Sequence, residues 1–276
     1  MDKIAKRKDG LILIIVLWIM FFLSVAVLTL GANNRMNIRL RSLNNESLRM
    51  FYLAKEGVNR AIDSLISDDQ EFDSLNENWS KKISLEKDEG IVTVQIIDEN
   101  RFININSVSG EILNNIKLLF PEITAEQIDA IMKNRPFNLK TEVKDLLEQG
   151  EIAPLVEQTG LIDMLTTFTD GTLNINTASE KVLALIPNMT EAAAQTIISH
   201  RQANPFISND SLSAELSLLG LPLAQISSLI KFVKVRSAVF RILVKAQSKD
   251  RYIAKKLEVV VSRQEQKIRV LSSMEN

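Results

Sequence analysis

One run of twenty apolar residues near the start of the chain constrains its fold more than any other feature. Residues 11–30 contain only two polar side chains, Ser24 and Thr29, and no charge. As a helix rising about 1.5 Å per residue, the run covers the roughly 30 Å hydrocarbon core of a bilayer. A buried helix of a soluble domain would carry a polar stripe, which this run lacks. We therefore predict a transmembrane helix over residues 11–32.

The charges that flank the run orient it only weakly. Four basic residues precede it and three arginines follow it: Lys3, Lys6, Arg7 and Lys8 before, and Arg35, Arg39 and Arg41 after. Because positive charge tends to stay on the cytoplasmic side of a membrane, the larger basic cluster favours a cytoplasmic N-terminus.

The apolar pattern continues beyond the run as an amphipathic stripe. From Met36 to Leu65, apolar residues recur at spacings of three and four with charged residues between them, as on one face of a helix. No proline occurs before Pro121 to end that helix. We therefore predict a single helix from about residue 11 to about residue 67, half in lipid and half packed on a folded domain.

Strand signals occur once before the C-terminal region and then repeatedly within it. The β-branched run at residues 91–97 predicts one strand, and no other strand is expected before residue 231. Beyond it, alternating apolar residues flank a polar turn at residues 247–251, and Ile268 and Val270 suggest a third strand. Since a lone strand is unstable, residues 91–97 are expected to join this antiparallel sheet, with the long helix covering one face.

An internal repeat lies between these strands. The sequence FININSVSGEIL at residues 102–113 pairs with LNINTASEKVL at residues 173–183, and matching residues recur downstream. The paired motif positions are Asn104 with Asn174, Asn106 with Asn176, Pro121 with Pro187, and Arg135 with Arg201. The repeat predicts two copies of one helical unit.

Two helix starts in the repeats are indicated by capping-box spacing. Thr124 precedes Gln127 by three residues, and Thr177 precedes Glu180 by three, so that a hydroxyl and a side-chain acceptor can satisfy free first-turn amides.

Charge is segregated along a chain whose net charge is only −1. Residues 63–99 hold eleven acids and three lysines, whereas residues 231–276 hold twelve basic residues and four acids. The near-neutral total argues against a nucleic-acid carrier or a polybasic membrane binder. The two segments are expected to meet solvent, partners or each other.

No catalytic or metal site stands out. The acids at positions 68, 69, 71 and 73 are close enough for an oxygen-ligand cation site but lack the calcium-loop frame, so a solvated acidic turn is preferred. The chain has no cysteine, one histidine (His200), no phosphate-binding glycine loop and no nucleophile elbow. We expect no enzyme activity, no catalytic residue and no cofactor, and the sequence leaves any metal unknown.

The N-terminal pattern resembles that of type IV pilins and type II secretion pseudopilins. It consists of basic residues, Gly10, an apolar run directly after the glycine, and an amphipathic continuation. The resemblance implies that a prepilin peptidase cuts after Gly10 on the cytoplasmic side and methylates Leu11. The glutamate usual at the fifth mature position is replaced by Ile15, a departure known for the GspK family of minor pseudopilins.

The second repeat resembles the helix-hairpin-helix domain of the competence protein ComEA, which implies DNA binding. Such hairpins approach a phosphate through a Gly-hydrophobic-Gly turn, in which an added side chain blocks the contact. Here the corresponding turns are Asn188 to Thr190 and Glu122 to Thr124, and both repeats are slightly acidic. We therefore expect protein packing and no nucleic acid.

The order of anchor, strand, helical repeats and terminal strands resembles the GspK family over nearly the whole chain. The resemblance implies an α+β fold: a long N-terminal helix, transmembrane and then amphipathic, packed on a small antiparallel sheet (the pseudopilin fold), with a large all-α insertion of two helix-hairpin-helix-like repeats. The expected parts are a basic leader (1–10), the transmembrane helix (11–32), the amphipathic helix, loop and first strand (33–99), the insertion (100–230, with repeats at about 102–150 and 173–230) and the terminal strands (231–276).

The same resemblance implies a function. It is that of a non-enzymatic minor pseudopilin at the tip of the type II secretion pseudopilus, which initiates or caps its assembly with the minor pseudopilins GspI and GspJ during protein secretion across the outer membrane. The chain would be a single-pass protein of the bacterial inner membrane with its bulk in the periplasm. Calcium is bound by some members, through loop residues that have no clear counterpart here. The alternative is a membrane-anchored, ComEA-like receptor for DNA uptake.

Overall fold

One unbroken helix, α1, runs from Asp2 to Ile66 and confirms the predicted continuous helix. In this computed structural model, the described residues are 2–68, 71–121, 123–147, 160–250, 252–264 and 267–275, with side chains described from residue 11 onward. The first half of α1 is exposed along its whole length, whereas from Met50 one face is buried. One continuous helix therefore has an exposed N-terminal half and a C-terminal part that packs on the domain.

Nine strands occur in the described residues, and five of them form one antiparallel sheet. In chain order the strands are β1 (Ile83–Glu86), β2 (Gly90–Asp98), β3 (Ile103–Asn104), β4 (Leu165–Thr166), β5 (Leu173–Asn174), β6 (Val233–Lys234), β7 (Val239–Ser248), β8 (Ala254–Gln264) and β9 (Lys267–Glu275). The sheet has the order β1-β2-β7-β8-β9. As predicted, β2 pairs with the C-terminal strands, in a register that sets Val94 opposite Val244.

The expectation of a single strand before the C-terminal region is wrong, because β1 precedes β2 and pairs with it. It is a four-residue edge strand preceded by Lys81 and Lys82. Its apolar residues, Ile83 and Leu85, are only half-buried, so its sequence carries little of the apolar signal of a central strand.

The face of the sheet that packs on α1 forms one of two hydrophobic cores. Its helix side consists of Met50, Leu53, Ala54, Val58, Ala61 and Leu65. The Trp79 ring meets the Phe240 ring edge-on, with centroids 5.2 Å apart. At Gly57 an added Cβ would lie 2.8 Å from Val244 Cγ1, so glycine is what lets the helix approach the sheet closely.

The second core lies in the helical insertion between β2 and β7. Its helices are α2 (Gly110–Leu119), α3 (Ala125–Lys133), α4 (Lys140–Leu147), α5 (Glu180–Ala184), α6 (Glu191–Ala203), α7 (Asn209–Leu218) and α8 (Leu223–Leu229). Short parallel pairs, β3 with β4 and β5 with β6, accompany the two copies. Buried residues of both copies, such as Leu113 and Leu183, belong to one continuous core.

One predicted helix start is confirmed and the other is wrong. Thr124 and Gln127 form a complete capping box at α3. Helix α5, however, is capped by Ser179, whose Oγ accepts from the amide of Val182 at 3.3 Å. The hydroxyl of Thr177 instead donates to the buried carboxylate of Asp98, a long-range partner that spacing along the chain does not reveal.

Candidate assembly site: an exposed helix and a polar junction

The exposed half of α1 satisfies its own polar groups. Its apolar stretch is the one span among the described residues long and apolar enough to cross a membrane, and none of it is buried within the protein. Ser24 Oγ donates to the carbonyl of Met20 at 2.8 Å, and Thr29 Oγ1 to that of Val25 at 2.5 Å. Because both hydroxyls of this run donate within the helix, they add little cost to placing the run in lipid.

The predicted processing positions lie on this segment. Gly10 is part of the continuous α1 backbone, while the side chains up to residue 10 lie outside the described part. Leu11 and Ile15 follow it and are exposed. An alkyl side chain at position 15 offers no acceptor to a neighbouring amine.

Each repeat contains an Asn-Ile-Asn motif, at residues 104–106 and 174–176. The second asparagine of each motif makes the same pair of hydrogen bonds within its repeat. Asn106 Nδ2 donates to the carbonyl of Phe137 at 2.8 Å and its Oδ1 accepts from the Phe137 amide at 2.7 Å. Asn176 makes the same two bonds with Phe206, at 2.8 and 2.9 Å. Asn106 and Asn176 therefore form two equivalent clamps, each joining segments about thirty residues apart.

The first asparagine of each motif accepts a hydrogen bond within the local turn and donates to a residue far away in the sequence. The Oδ1 atoms of Asn104 and Asn174 accept from the amides of Asn106 and Asn176, both at 2.9 Å. Asn104 Nδ2 donates to the Thr169 carbonyl. Asn174 Nδ2, however, leaves its repeat and joins the polar junction described below.

The paired arginines of the two copies, Arg135 and Arg201, donate to backbone carbonyls of their own repeats. Arg135 Nη1 donates to the carbonyl of Val108 at 3.0 Å. Arg201 is 8% exposed and donates to the carbonyls of Ile175 and Ala178. Burial lowers the pKa of Arg201 to about 10, with a smaller contribution from the charge of Arg101. A guanidinium held by carbonyls of its own repeat is not presented to a phosphate.

The prolines and the hairpin turn separate successive helices. Pro121 follows the end of α2, and Pro187 follows α5. Asn188 has a φ of +65°, the left-handed conformation that glycine would supply in a phosphate-binding hairpin. Thr190 then caps α6, its Oγ1 accepting from the amide of Ala193 at 3.2 Å. In the first copy, Glu122 lies outside the described residues.

A buried polar junction joins the sheet, the second repeat and the start of β7. We use "junction" for Asp73, Asp98, Asn174, Thr177, Ser237 and Arg263. Asp98 Oδ2 accepts from Asn174 Nδ2 at 3.1 Å and from the hydroxyls of Thr177 and Ser237 at 2.5 and 2.6 Å. Burial raises the pKa of Asp98 to about 6, against the lowering effect of these hydrogen bonds.

Arg263 supplies the positive charge of the junction. Its Nη2 contacts both carboxylate oxygens of Asp73, and its Nη1 lies 3.2 Å from Asp68 Oδ2. The side chains of Arg263 and Asp73 are both fully buried. The guanidinium also lies 4.6 Å from the centroid of the Phe240 ring. An arginine from the basic C-terminal segment thus meets the acidic segment, so the two segments do face each other here.

The preferred solvated acidic turn is therefore wrong for Asp73, and Asp69 lies outside the described residues. Asp68, Asp73 and Glu77 bring carboxylate oxygens within 4.8 Å of one another. The guanidinium of Arg263 already lies against two of these acids, and burial raises the pKa of Glu77 to about 7. Three acids thus share one guanidinium in this cluster.

A second ion-paired group links the insertion to the sheet. Arg241 Nε contacts the buried carboxylate of Glu99, and its Nη1 contacts Glu258 on β8. Thr166 Oγ1 donates to the same Glu99 carboxylate. The sequence singled out Asn174 through the repeat and Asp73 in an acidic cluster. It did not identify Asp98, Glu99 or the two arginines, whose only sequence signal was the segregation of charge.

Comparison with known proteins found one matching family model and similarity to a solved structure. Residues 173–232 match the family model described as type II secretion system (T2SS), protein K. No curated protein matches the sequence. Among solved structures, the chain is similar to one in the crystal structure of the GspK-GspI-GspJ complex from the enterotoxigenic Escherichia coli type 2 secretion system. That match has a TM-score of 0.68 and 16% identity, and it covers 86% of this chain and 99% of the other.

The family model matches only the second repeat, whereas the structural match covers most of the chain. The family model covers β5 through α8, which is the repeat that carries the Asn176 clamp and Arg201. The structural match extends the shared fold to most of the chain. Together they confirm the resemblance, indicated by the sequence, to protein K of the type II secretion system.

Proposed function

We propose that the chain is a minor pseudopilin of type II secretion, anchored in the inner membrane by residues 11–32. Its N-terminus would be cytoplasmic and its domain periplasmic. The observation that carries this proposal is α1, a single helix whose exposed apolar half continues without a break into the packed face of an α+β domain. Such a helix couples a lipid anchor rigidly to a folded head, as assembly of a filament from membrane subunits requires.

The partners that we propose are this organism's counterparts of GspI and GspJ. Support comes from the solved complex, in which the similar GspK is named together with both proteins. The middle of α1 offers a surface for them, because Met36, Leu40 and Leu43 are exposed beyond the membrane run. Apolar residues at this spacing form one stripe of a helix and suit packing against other helices.

We infer a position at the tip of the pseudopilus, where the chain initiates or caps assembly. In the interior of a filament, a carboxylate at the fifth mature position would pair with a neighbour's N-terminal amine in a nearly water-free setting, where such pairs are strong. Ile15 makes no such pair. A subunit lacking this acid suits the leading position, and the bulky insertion would obstruct a further subunit above it.

The geometry gives no support to the DNA-receptor alternative. Arg201 is buried against carbonyls of its own repeat, and the side chains of Asn188 and Thr190 occupy the turn that two glycines would leave open. We infer a structural, non-enzymatic role.

Processing by a prepilin peptidase tests the proposal. With the peptidase co-expressed, we expect a mature chain that begins at Leu11 and carries one added methyl group, because Gly10 stands at the junction of the basic leader and the apolar run. Intact-mass measurement checks this, with Gly10→Leu as a control that should remain uncut. A chain that keeps its leader, or is cut beyond Leu30, would contradict the proposal.

A further inference from the structure

The face of the sheet opposite α1 carries lysines without acidic partners. Val244 and Leu257 point into the core, so their neighbours Lys245 and Lys256 point to the other face, where both are exposed. Lys82 lines the same shallow groove from the β1 edge. Within the described part of the chain, none of these three lysines forms an ion pair, although other basic residues of the C-terminal segment do.

Two of the lysines lie directly opposite each other. The register of β7 and β8 sets Lys245 against Lys256, and that of β2 and β7 sets Thr93 against Lys245. Like charges in directly opposed positions destabilise an antiparallel pair. Nearby Glu258 does not relieve them, because its carboxylate is engaged by Arg241. The groove is therefore a concentrated positive site that an anion would stabilise.

Apolar and uncharged polar side chains also line the groove, and its one acid, Glu258, lies opposite Leu243 and is held by Arg241. Leu243 is half-buried there, two residues before Lys245 on the same face. Thr93 and Gln95 of β2 line the groove beside it. An occupant that matches this pattern carries an apolar side chain flanked by carboxylates.

Membrane lipid is excluded as that occupant by distance. Val244, next to Lys245, packs against Gly57 of α1, which lies 27 residues beyond Leu30. At 1.5 Å per residue this is about 40 Å beyond the apolar run. Exposed charges interact over only about 8 Å at physiological ionic strength.

Nucleic acid is disfavoured by the small extent of the basic surface. A separate pocket at the turn between β1 and β2 is lined by acids as well as lysines: Glu86, Lys87, Asp88, Glu89 and Lys249. Binding to a duplex depends on neutralising many phosphates along an extended basic surface. The three lysines of the groove do not provide such a surface, whereas they suffice for a short acidic segment.

We propose that the uncovered face of the sheet, at Lys82, Lys245 and Lys256, is a docking site for an acidic segment of a partner protein, with Leu243 as its apolar contact. The site is separate from the exposed stripe of α1. It therefore does not depend on the proposed function.

A fluorescent peptide tests this proposal. The probe is a ten-residue peptide of alternating glutamate and leucine, titrated by anisotropy with the full chain in detergent at low and high salt. We expect salt-sensitive binding that weakens at least tenfold in the double variant Lys245→Glu, Lys256→Glu. The matched control is Lys133→Glu, Lys181→Glu, which changes the net charge equally at two exposed positions of the insertion and should alter binding less than twofold.

Four outcomes would overturn the docking site. They are absence of peptide binding to the wild-type chain, equal losses in both double variants, equal binding of the glutamine analogue of the peptide, and duplex DNA binding more tightly than the peptide with loss in the Lys245 and Lys256 variant. Because all four lysines are exposed, both variants should keep the wild-type melting temperature. A lysine-leucine peptide that binds the groove variant and not the wild-type chain would add independent support.

Discussion

At the scale of single residues, the two clamp asparagines are the most consequential positions of the repeats. Asn176 is buried and satisfies both the amide and the carbonyl of buried Phe206. Leaving a buried backbone group unsatisfied costs about 1–3 kcal/mol. We expect Asn176→Ala to lower the free energy of unfolding by about 2–4 kcal/mol, measured by urea denaturation in detergent.

The control for this variant is Asn134→Ala. Asn134 is exposed and bonds only within its own helix end, to the carbonyl of Ala130 at 2.8 Å, so its loss should cost about 0.5 kcal/mol or less. Equal effects at the two positions would contradict the clamp.

The buried carboxylate of Asp98 predicts a pH dependence. Its folded pKa of about 6 lies above the ordinary value of 3.8, chiefly because of burial, so the folded state holds the proton more tightly than the unfolded state. The stabilisation is complete below about pH 4 and is lost as the pH rises through about 6, and at about 1.4 kcal/mol per pKa unit it amounts to about 3 kcal/mol.

The variant Asp98→Asn, which imitates the protonated form, should lack this loss. The measurement is the difference in unfolding free energy between the two chains at a series of pH values. A difference that stays constant between pH 4 and pH 7 would show that Asp98 does not titrate in this range.

Residue roles were the least predictable from the sequence. The repeat identified Asn104, Asn174 and Arg201, because duplicated residues stand out by comparison of the two copies. The hydrogen-bond partners of these residues could not be predicted from the repeat, since Asn174 and Asp98, for example, are 76 residues apart. Spacing rules describe local geometry, and they therefore missed the cap at Ser179 and the burial of Asp73.

At the scale of elements, α1 contains a matched pair of glycines that tests its packing. An added Cβ at Gly57 would meet Val244, Val92 and Val94 at 2.8–3.1 Å, whereas at Gly31 nothing lies within 4 Å. Overpacking costs about 1–3 kcal/mol, more than the roughly 1 kcal/mol that alanine gains in a helix.

We therefore expect Gly57→Ala to lower the melting temperature of the domain and Gly31→Ala to leave it unchanged or raise it slightly. Circular dichroism during heating measures both. A rise at Gly57 equal to that at Gly31 would mean that α1 does not approach the sheet as closely as the structure shows.

Elements with a strong period were predictable, and short ones were not. Helix α1 and strand β2 follow from their apolar patterns because long-range packing reinforces a local signal. Strand β1 is short, at an edge and half-buried, so pairing with β2 rather than its own sequence makes it a strand.

At the scale of the whole molecule, the fold was predictable from the order of anchor, strand, helical repeats and terminal strands. What order alone does not reveal is how the parts are joined. The junction around Asp98 and Arg263 and the ion pairs of Arg241 tie the insertion to the sheet through residues far apart in sequence. They make the insertion and the sheet parts of one packed head.

The central claim is that the chain assembles with other minor pseudopilins through α1. Its most direct test is native mass spectrometry of the tagged full chain, co-expressed with its organism's GspI and GspJ counterparts and purified in detergent. We predict one complex containing all three proteins, lost on Leu40→Asp with Leu43→Asp at the exposed stripe of α1 and retained on Ile15→Glu. Recovery of the wild-type chain alone, or as a polymer of itself, would contradict the account.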